Sequence, residues 1–313
     1  MSRKVLLQLV LPLIGLSVLF WLLAFAPSDK HHQPALLEMS VILRDGDGNV
    51  SAMRKGMEQA AKDLNVELRF LTPAEDNSAV EQVQLLEHEV SGAAPAILLI
   101  PADREALGEA VSAAAGKTTL VTVESDMTAW GADASISMDH QALGEALGKA
   151  ALNGVPFGGT VLLDSLPGDN GVRERMEAAK ALLEEKGRQV RIYRWTSDST
   201  AFANILRIER PKAVIAFEAA ALTEMAELSR GEEAFPLLYG CGSTAGIAAA
   251  LEKGRVTAIA AVNVFSAGYL AVEAAAKLAR HESWTGASSV GFSIVRQETM
   301  YSSDNQKLLF PVT

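Results

Sequence analysis

From Glu38 onward, short apolar runs alternate with helical patterns, and this alternation limits the possible folds more than any other feature of the chain. The runs are MSVIL (39–43), VELRF (66–70), AILLI (96–100), TTLVTV (118–123), ASIS (134–137), TVLLD (160–164), QVRIY (189–193), AVIAF (213–217), PLLYG (236–240), VTAIAAV (256–262) and VGFSIV (290–295). Most are almost continuously apolar, as strands buried on both faces must be. The intervening segments are amphipathic. Met53, Met57, Ala60, Ala61 and Leu64 share one helical face, and Val172, Met176, Ala179 and Leu183 repeat the pattern. Glycines mark the helix ends: Gly92, Gly116, Gly154, Gly187, Gly231 and Gly254.

Such alternation builds βαβ units and parallel sheets. Eleven strands are too many for one small doubly wound sheet. They read as two similar runs, 39–137 and 160–262, with a helix (265–281) and the strand 290–295 left over. The expected class is α/β: two Rossmann-like lobes, each completed by a segment from the far end and joined by several crossings. A chain of 313 residues accommodates two domains at ~100–200 residues each.

Val5 to Ala26 carries no charge. As a helix it spans ~33 Å, enough for the hydrocarbon layer of a bilayer. Arg3 and Lys4 precede it and stay in the cytoplasm, which places the body outside. Ala24-Phe25-Ala26 has the small-x-small form of a cleavage site. Pro27 follows it at once, and the apolar run is longer than a signal core, so an uncleaved anchor is expected, with 27–37 as a tether.

Composition narrows the function. Beyond the first 26 residues, 26 basic residues face 38 acidic ones, which excludes the basic face of a nucleic-acid binder. The single cysteine, Cys241, excludes a disulfide framework and multi-cysteine metal sites. GxSxG, HExxH and P-loop motifs are absent from the sequence. GCGSTAG (240–246) has dinucleotide-loop spacing, but the next strand ends in AAVNVF without the ribose-binding acid. Its glycines read as a tight strand–helix turn, Cys241 as a buried hydrophobe, and His140 as structural. No catalytic residue, metal site or cofactor is assigned.

Ligands of open parallel sheets bind beyond the carboxyl ends of the strands. The loops there are RDGDGN (44–49), PADR (101–104), ESDMTAW (124–130), SLPGDNGVRER (165–175), FEA (217–219), CGST (241–244) and NVFS (263–266). They are polar, with acids Asp45, Asp47, Glu124, Asp126, Asp169 and Glu218, and bases Arg44, Arg104, Arg173 and Arg175. Carboxylates and an arginine fork hydrogen-bond hydroxyls in fixed directions.

The chain resembles the type I periplasmic substrate-binding proteins, the ribose- and galactose-binding group related to lac-repressor effector domains. The resemblance covers about 39–300 and rests on SAMRKGMEQAAKDLNVEL, LLIPADREAL, LVTVESDM, MDHQALGEALGKAAL, GVRERMEAAKALLEEKG and LEKGRVTAIAAVNVFSAGYLAVEAA in that order. It implies lobes at 38–138 plus 263–290 and at 139–262 plus 291–313, with hinge crossings near 138–140, 262–264 and 288–292. It implies that ligand binds between the lobes and closes them. Mapping the family's pattern onto this chain, with the loop reading, selects Asp45, Asp47, Asn49, Glu124, Ser125, Asp126, Arg175, Glu218 and Asn263 as ligand-binding residues.

Several positions depart from a sugar site. The first loop reads Asp47, Asn49, Val50 and lacks the stacking ring; Glu124-Ser125 replaces an Asp-Arg pair; Glu218-Ala219 replaces Asn-Asp; only Arg175 is kept. Trp130, Phe217, Tyr239 and Phe265 are the rings that could supply a platform, and each also suits the core. An acidic cleft suits a polyol, an amino sugar or another cation-bearing ligand. The expected function is an extracytoplasmic binding protein for a small polar solute, serving an ABC transporter permease or a sensor histidine kinase. The alternative is a ligand-free relic of the fold kept as a structural partner of a membrane sensor.

Overall fold

The computed structural model describes residues 35–44, 50–155, 159–165, 170–195, 199–231 and 235–310. The anchor expected at Val5–Ala26, most of the tether, and Asp45, Asp47 and Asn49 lie outside the described residues. Among the described residues no helix is long and apolar enough to cross a membrane.

Every expected strand forms. The first sheet holds β1 (Leu37–Ile42), β2 (Val66–Leu71), β3 (Ala96–Leu99), β4 (Thr119–Glu124) and β5 (Ala134–Ser137), in the order β2-β1-β3-β4-β5. The second holds β6 (Thr160–Ser165), β7 (Gln189–Arg194), β8 (Ala213–Ala216), β9 (Leu237–Cys241), β10 (Ala258–Val262) and β11 (Phe292–Val295), in the order β7-β6-β8-β9-β10-β11. The first five strands of the second sheet repeat the order of the first, so the two similar sequence runs fold as two copies of one doubly wound topology. The central strands β3 and β8, AILL and AVIA, are fully buried, whereas the edge strands β2 and β7 carry the charged sequences VELRFL and QVRIYR.

The sheets are parallel, as expected, except at one edge: β11 runs antiparallel to β10, pairing Phe292 with Val262 and Val295 with Ile259. A chain returning to an edge from the other lobe has no crossover helix to reverse it, and an antiparallel edge strand is the usual outcome.

Helices α1 (Val50–Leu64), α2 (Ala79–Ser91) and α3 (Arg104–Ala114) belong to the first half of the chain. Next come α4 (His140–Gly154), α5 (Gly171–Glu185), α6 (Ser199–Glu209), α7 (Ala219–Leu228) and α8 (Ala245–Glu252). The last two are α9 (Val264–Ala279) and α10 (Ser303–Leu309). Gly187 and Gly254 end α5 and α8 in the left-handed conformation, at φ 73° and 69°. The two bonds of a Schellman cap close each end: Gly187 N–H to Glu184 O with Arg188 N–H to Leu183 O, and Gly254 N–H to Leu251 O with Arg255 N–H to Ala250 O.

The chain passes between lobes at three places. After β5, α4 packs on α5 and against β9 and β10 of the second sheet. After β10, α9 packs on α1 and against β3, β4 and β5 of the first. Ser137 and Ser289 then form an isolated parallel bridge before β11 joins the second sheet. Both arriving helices sit backbone-to-backbone on the first helix of their new lobe. A Cβ on Gly56 would lie 2.0 Å from Phe265 O, and one on Gly268 2.1 Å from Met53 O. A Cβ on Gly144 would lie 2.1 Å from Arg175 O. Glycine is therefore required there by close approach.

Candidate functional site

In both sheets the strand order reverses beside the first strand, between β1 and β3 and between β6 and β8, which is where this topology opens a crevice at the carboxyl ends of its strands. Arg44 follows β1, Ala102 and Arg104 follow β3, Asn170 precedes α5, and Glu218 follows β8. Topology alone thus brings these residues to the two crevices.

Arg44 is the centre of the described cluster. Its guanidinium lies 3.5 Å from Oε2 of Glu124 in the first lobe and 3.4 Å from Oε1 of Glu218 in the second. The three side chains are 10%, 13% and 16% exposed, so the ions are largely withdrawn from water and their pairing is only weakly screened.

Glu124 ends β4 with φ 68°, a left-handed conformation that costs a non-glycine residue about 1–2 kcal/mol. Its carbonyl is held in place by two donors, Ser137 Oγ at 2.7 Å and His140 Nε2 at 2.5 Å. The other face of the imidazole meets Arg175, whose Nε donates to His140 Nδ1 at 3.0 Å. An Nδ1 that accepts and an Nε2 bound to a carbonyl define the neutral Nε2–H tautomer. Burial and the Arg175 guanidinium lower the His140 pKa to about 4, so the ring stays uncharged at neutral pH. With both nitrogens engaged, His140 serves as structure, as its sequence context suggests. Arg175, itself buried, also donates to Phe217 O at 3.3 Å and approaches Met138 Sδ at 3.5 Å.

These contacts close a circuit: Arg44 to Glu124, the Glu124 carbonyl to His140, His140 to Arg175, Arg175 to Phe217, and the neighbouring Glu218 back to Arg44. It runs through both lobes and the start of the hinge helix α4. Asn170, next to the Gly171 that packs on the His140 ring, is 1% exposed; its Oδ1 accepts from Val172 N–H and its Nδ2 donates across to Ala102 O at 2.9 Å. Beside it, Arg104 Nη2 lies 2.6 Å from Glu174 Oε1.

The structure therefore brings together Glu124, Glu218 and Arg175 among the sequence-selected residues. Ser125 is buried in the strained turn after Glu124. The carboxylate of Asp126, an exposed residue, accepts from Thr128 N–H within its own turn, and Asn263 caps α9 by accepting from Ser266 N–H at 3.0 Å. Arg44 and Arg104, which the sequence places among the bases of the strand-end loops, were not selected as site residues, and neither were Asn170 and Glu174. Arg44 carried a usable signal as the cation that directly follows the first strand of a doubly wound unit. Asn170 carried another, as the helix cap that follows β6.

The ring platforms fare differently. Phe217 and Tyr239 are fully buried core residues, and Trp130 lies against Gly108 of α3, where a Cβ would meet its Nε1 at 2.4 Å. Phe265 is half-buried in the first turn of α9. Cys241 is buried at the end of β9, and burial raises its thiol pKa. Gly242 turns the chain at φ 130° ahead of Thr244, which caps α8, so GCGSTAG makes a tight strand–helix turn. Among the described residues no group of three or more His, Cys, Asp or Glu suits a metal ion.

Solved structures share this architecture. A carbohydrate transporter solute-binding protein from Agrobacterium radiobacter, in complex with D-arabinose, superposes with a TM-score of 0.82 at 17% identity, covering 88% of this chain and 99% of that one. An ABC transporter solute-binding protein from Agrobacterium vitis with bound D-fucose gives 0.80 at 20% identity, covering 87% and 100%. The XylFII–LytSN complex gives 0.74 at 18% identity, covering 85% and 99%. No curated protein matches the chain. Residues 40–283 match the family described as periplasmic binding protein domain, and with a match over most of its length the chain belongs to that family.

Proposed function

We propose that this protein is an extracytoplasmic solute-binding protein whose lobes close on a small polyhydroxyl ligand, a sugar or polyol. The observation that carries this reading is the convergence of Arg44, Glu124 and Glu218 from two lobes at the strand tips. Closure contributes to affinity only through contacts present in the closed form, and a cleft lined from both lobes supplies them. The solved relatives in complex with D-arabinose and D-fucose support the ligand class.

The lobe partition 38–138 plus 263–290 and 139–262 plus 291–313 belongs to this reading. So do the ligand contacts assigned to Arg175, Glu218, Glu124 and the first-loop residues Asp45, Asp47 and Asn49. Arg44 neutralises part of the acidity that the sequence places in the cleft, which favours a neutral polyol over an amino sugar. The uncharged Val5–Ala26 segment supports tethering at a membrane, where the protein presents its ligand state to a permease or a sensor kinase; the XylFII–LytSN complex is a precedent for assembly with a protein partner within this architecture.

Thermal shift of the detergent-solubilised chain against D-arabinose, D-fucose, sorbitol and glucosamine tests the reading. A ligand at a hundredfold excess over its Kd adds about 2.7 kcal/mol of stability. A flat response to a broad sugar and polyol panel would instead favour a ligand-free partner of a membrane sensor. One observation favours that second reading: the charged groups of the cleft already pair with one another.

A further inference from the structure

The lobes touch directly where α3 and α5 begin, beside the hinge residue His140, on which Gly171 packs. Arg104 opens α3 in the first lobe, and Glu174 lies in the first turn of α5 in the second; their charged groups are 2.6 Å apart. Ala102 and Asn170, just before each of them in sequence, form the bond from Asn170 Nδ2 to Ala102 O. An ion pair and a neutral hydrogen bond thus stand side by side across the same gap. The Asn170 amide cannot turn away without loss, because its oxygen caps α5 through Val172 N–H. Separating the lobes must break both contacts at once.

We propose that Arg104 and Glu174 form an interlobe latch that sets the balance between open and closed forms, and through it the ligand affinity. They act as positioning residues. The ion pair exists only when the starts of α3 and α5 meet, so its free energy counts toward closure. The side chains are 18% and 38% exposed, which makes the pair modest in strength and sensitive to salt. Losing a half-exposed pair lowers the closed-to-open ratio by about two- to fivefold. The latch rests on the two-lobe binding reading only for its effect on affinity; the lobe spacing is readable without any sugar.

The test is a pulsed dipolar distance measurement on the full chain in detergent micelles. Nitroxides are attached at Glu87→Cys on α2 and Glu184→Cys on α5, both exposed, while the native Cys241 is buried. At low salt the parent protein is expected to show a closed population. Arg104→Glu shifts the distribution toward longer distances, Glu174→Arg does the same, and the double exchange restores it. Molar NaCl on the parent protein weakens closure as Arg104→Ala does, which keeps the test valid if a variant fails to fold. Overturning results are a parent protein fully open at low salt, or distances that respond to neither salt nor the exchanges. With D-arabinose as the probe, Arg104→Ala should raise the apparent Kd by the same factor by which it lowers closure. If no sugar binds while the distances behave as expected, the binding reading fails and the latch stands.

Discussion

Arg175 Nε donates to Nδ1 of His140 at 3.0 Å, and this bond fixes which nitrogen of the hinge imidazole carries its proton. A proton added to Nδ1 would point at an N–H of a guanidinium. The ring is also buried, and its other nitrogen already holds the Glu124 carbonyl. Nitrogen-15 NMR of the histidine ring should therefore show the neutral Nε2–H tautomer at pH 7.

The same arrangement makes the fold acid-sensitive. The unfolded ring takes up a proton near pH 6.5 and the folded ring near pH 4. Between these values the unfolded state holds the extra proton, so stability is complete above about pH 6.5 and falls as the pH drops toward 4. The loss from this one group is on the order of 3 kcal/mol. Urea unfolding at pH 7 and pH 4.5 should show a markedly smaller drop for His140→Asn than for the parent protein. Equal drops would remove His140 as the cause.

Arg175→Ala should destabilise the protein, not only empty a ligand contact. It leaves buried acceptors on His140 and Phe217 without their donor, at about 1–3 kcal/mol each. Urea midpoints would read this directly. A binding defect in this variant is therefore meaningful only beside its unfolding curve.

Glu124 separates strain from charge. Glu124→Gly removes a left-handed φ of 68° from a residue that resists it, and should recover about 1 kcal/mol relative to Glu124→Ala. Both variants lose the Arg44 ion pair and should weaken ligand binding alike. Chemical denaturation together with calorimetry on the two variants checks the split.

Gly56→Ala and Gly144→Ala should each cost about 1–3 kcal/mol, because the new methyl meets a backbone carbonyl that cannot rotate aside. Gly246→Ala, with only Thr244 Oγ1 at 3.9 Å, is the control and should be close to neutral.

The apolar runs by themselves determined the central strands such as AILL and AVIA, because a strand buried on both faces leaves little choice of residue type. The spacing of Met53, Met57 and Leu64, and of Val172, Met176 and Leu183, likewise determined helix faces, and Gly187 and Gly254 determined helix ends through a φ that other residues resist. The reversal of β11 was not legible, since FSIV reads the same in either direction and only the return path from the other lobe fixes it. The cleft was legible in outline, as a set of polar strand tips. Its wiring was decided by tertiary structure: Arg44 is 80 residues from Glu124 and 174 from Glu218, and His140 and Arg175 meet through the close packing of two helices. A sequence shows which groups carry charge; which charges neutralise one another depends on distance and burial, and those exist only once both lobes are folded and facing.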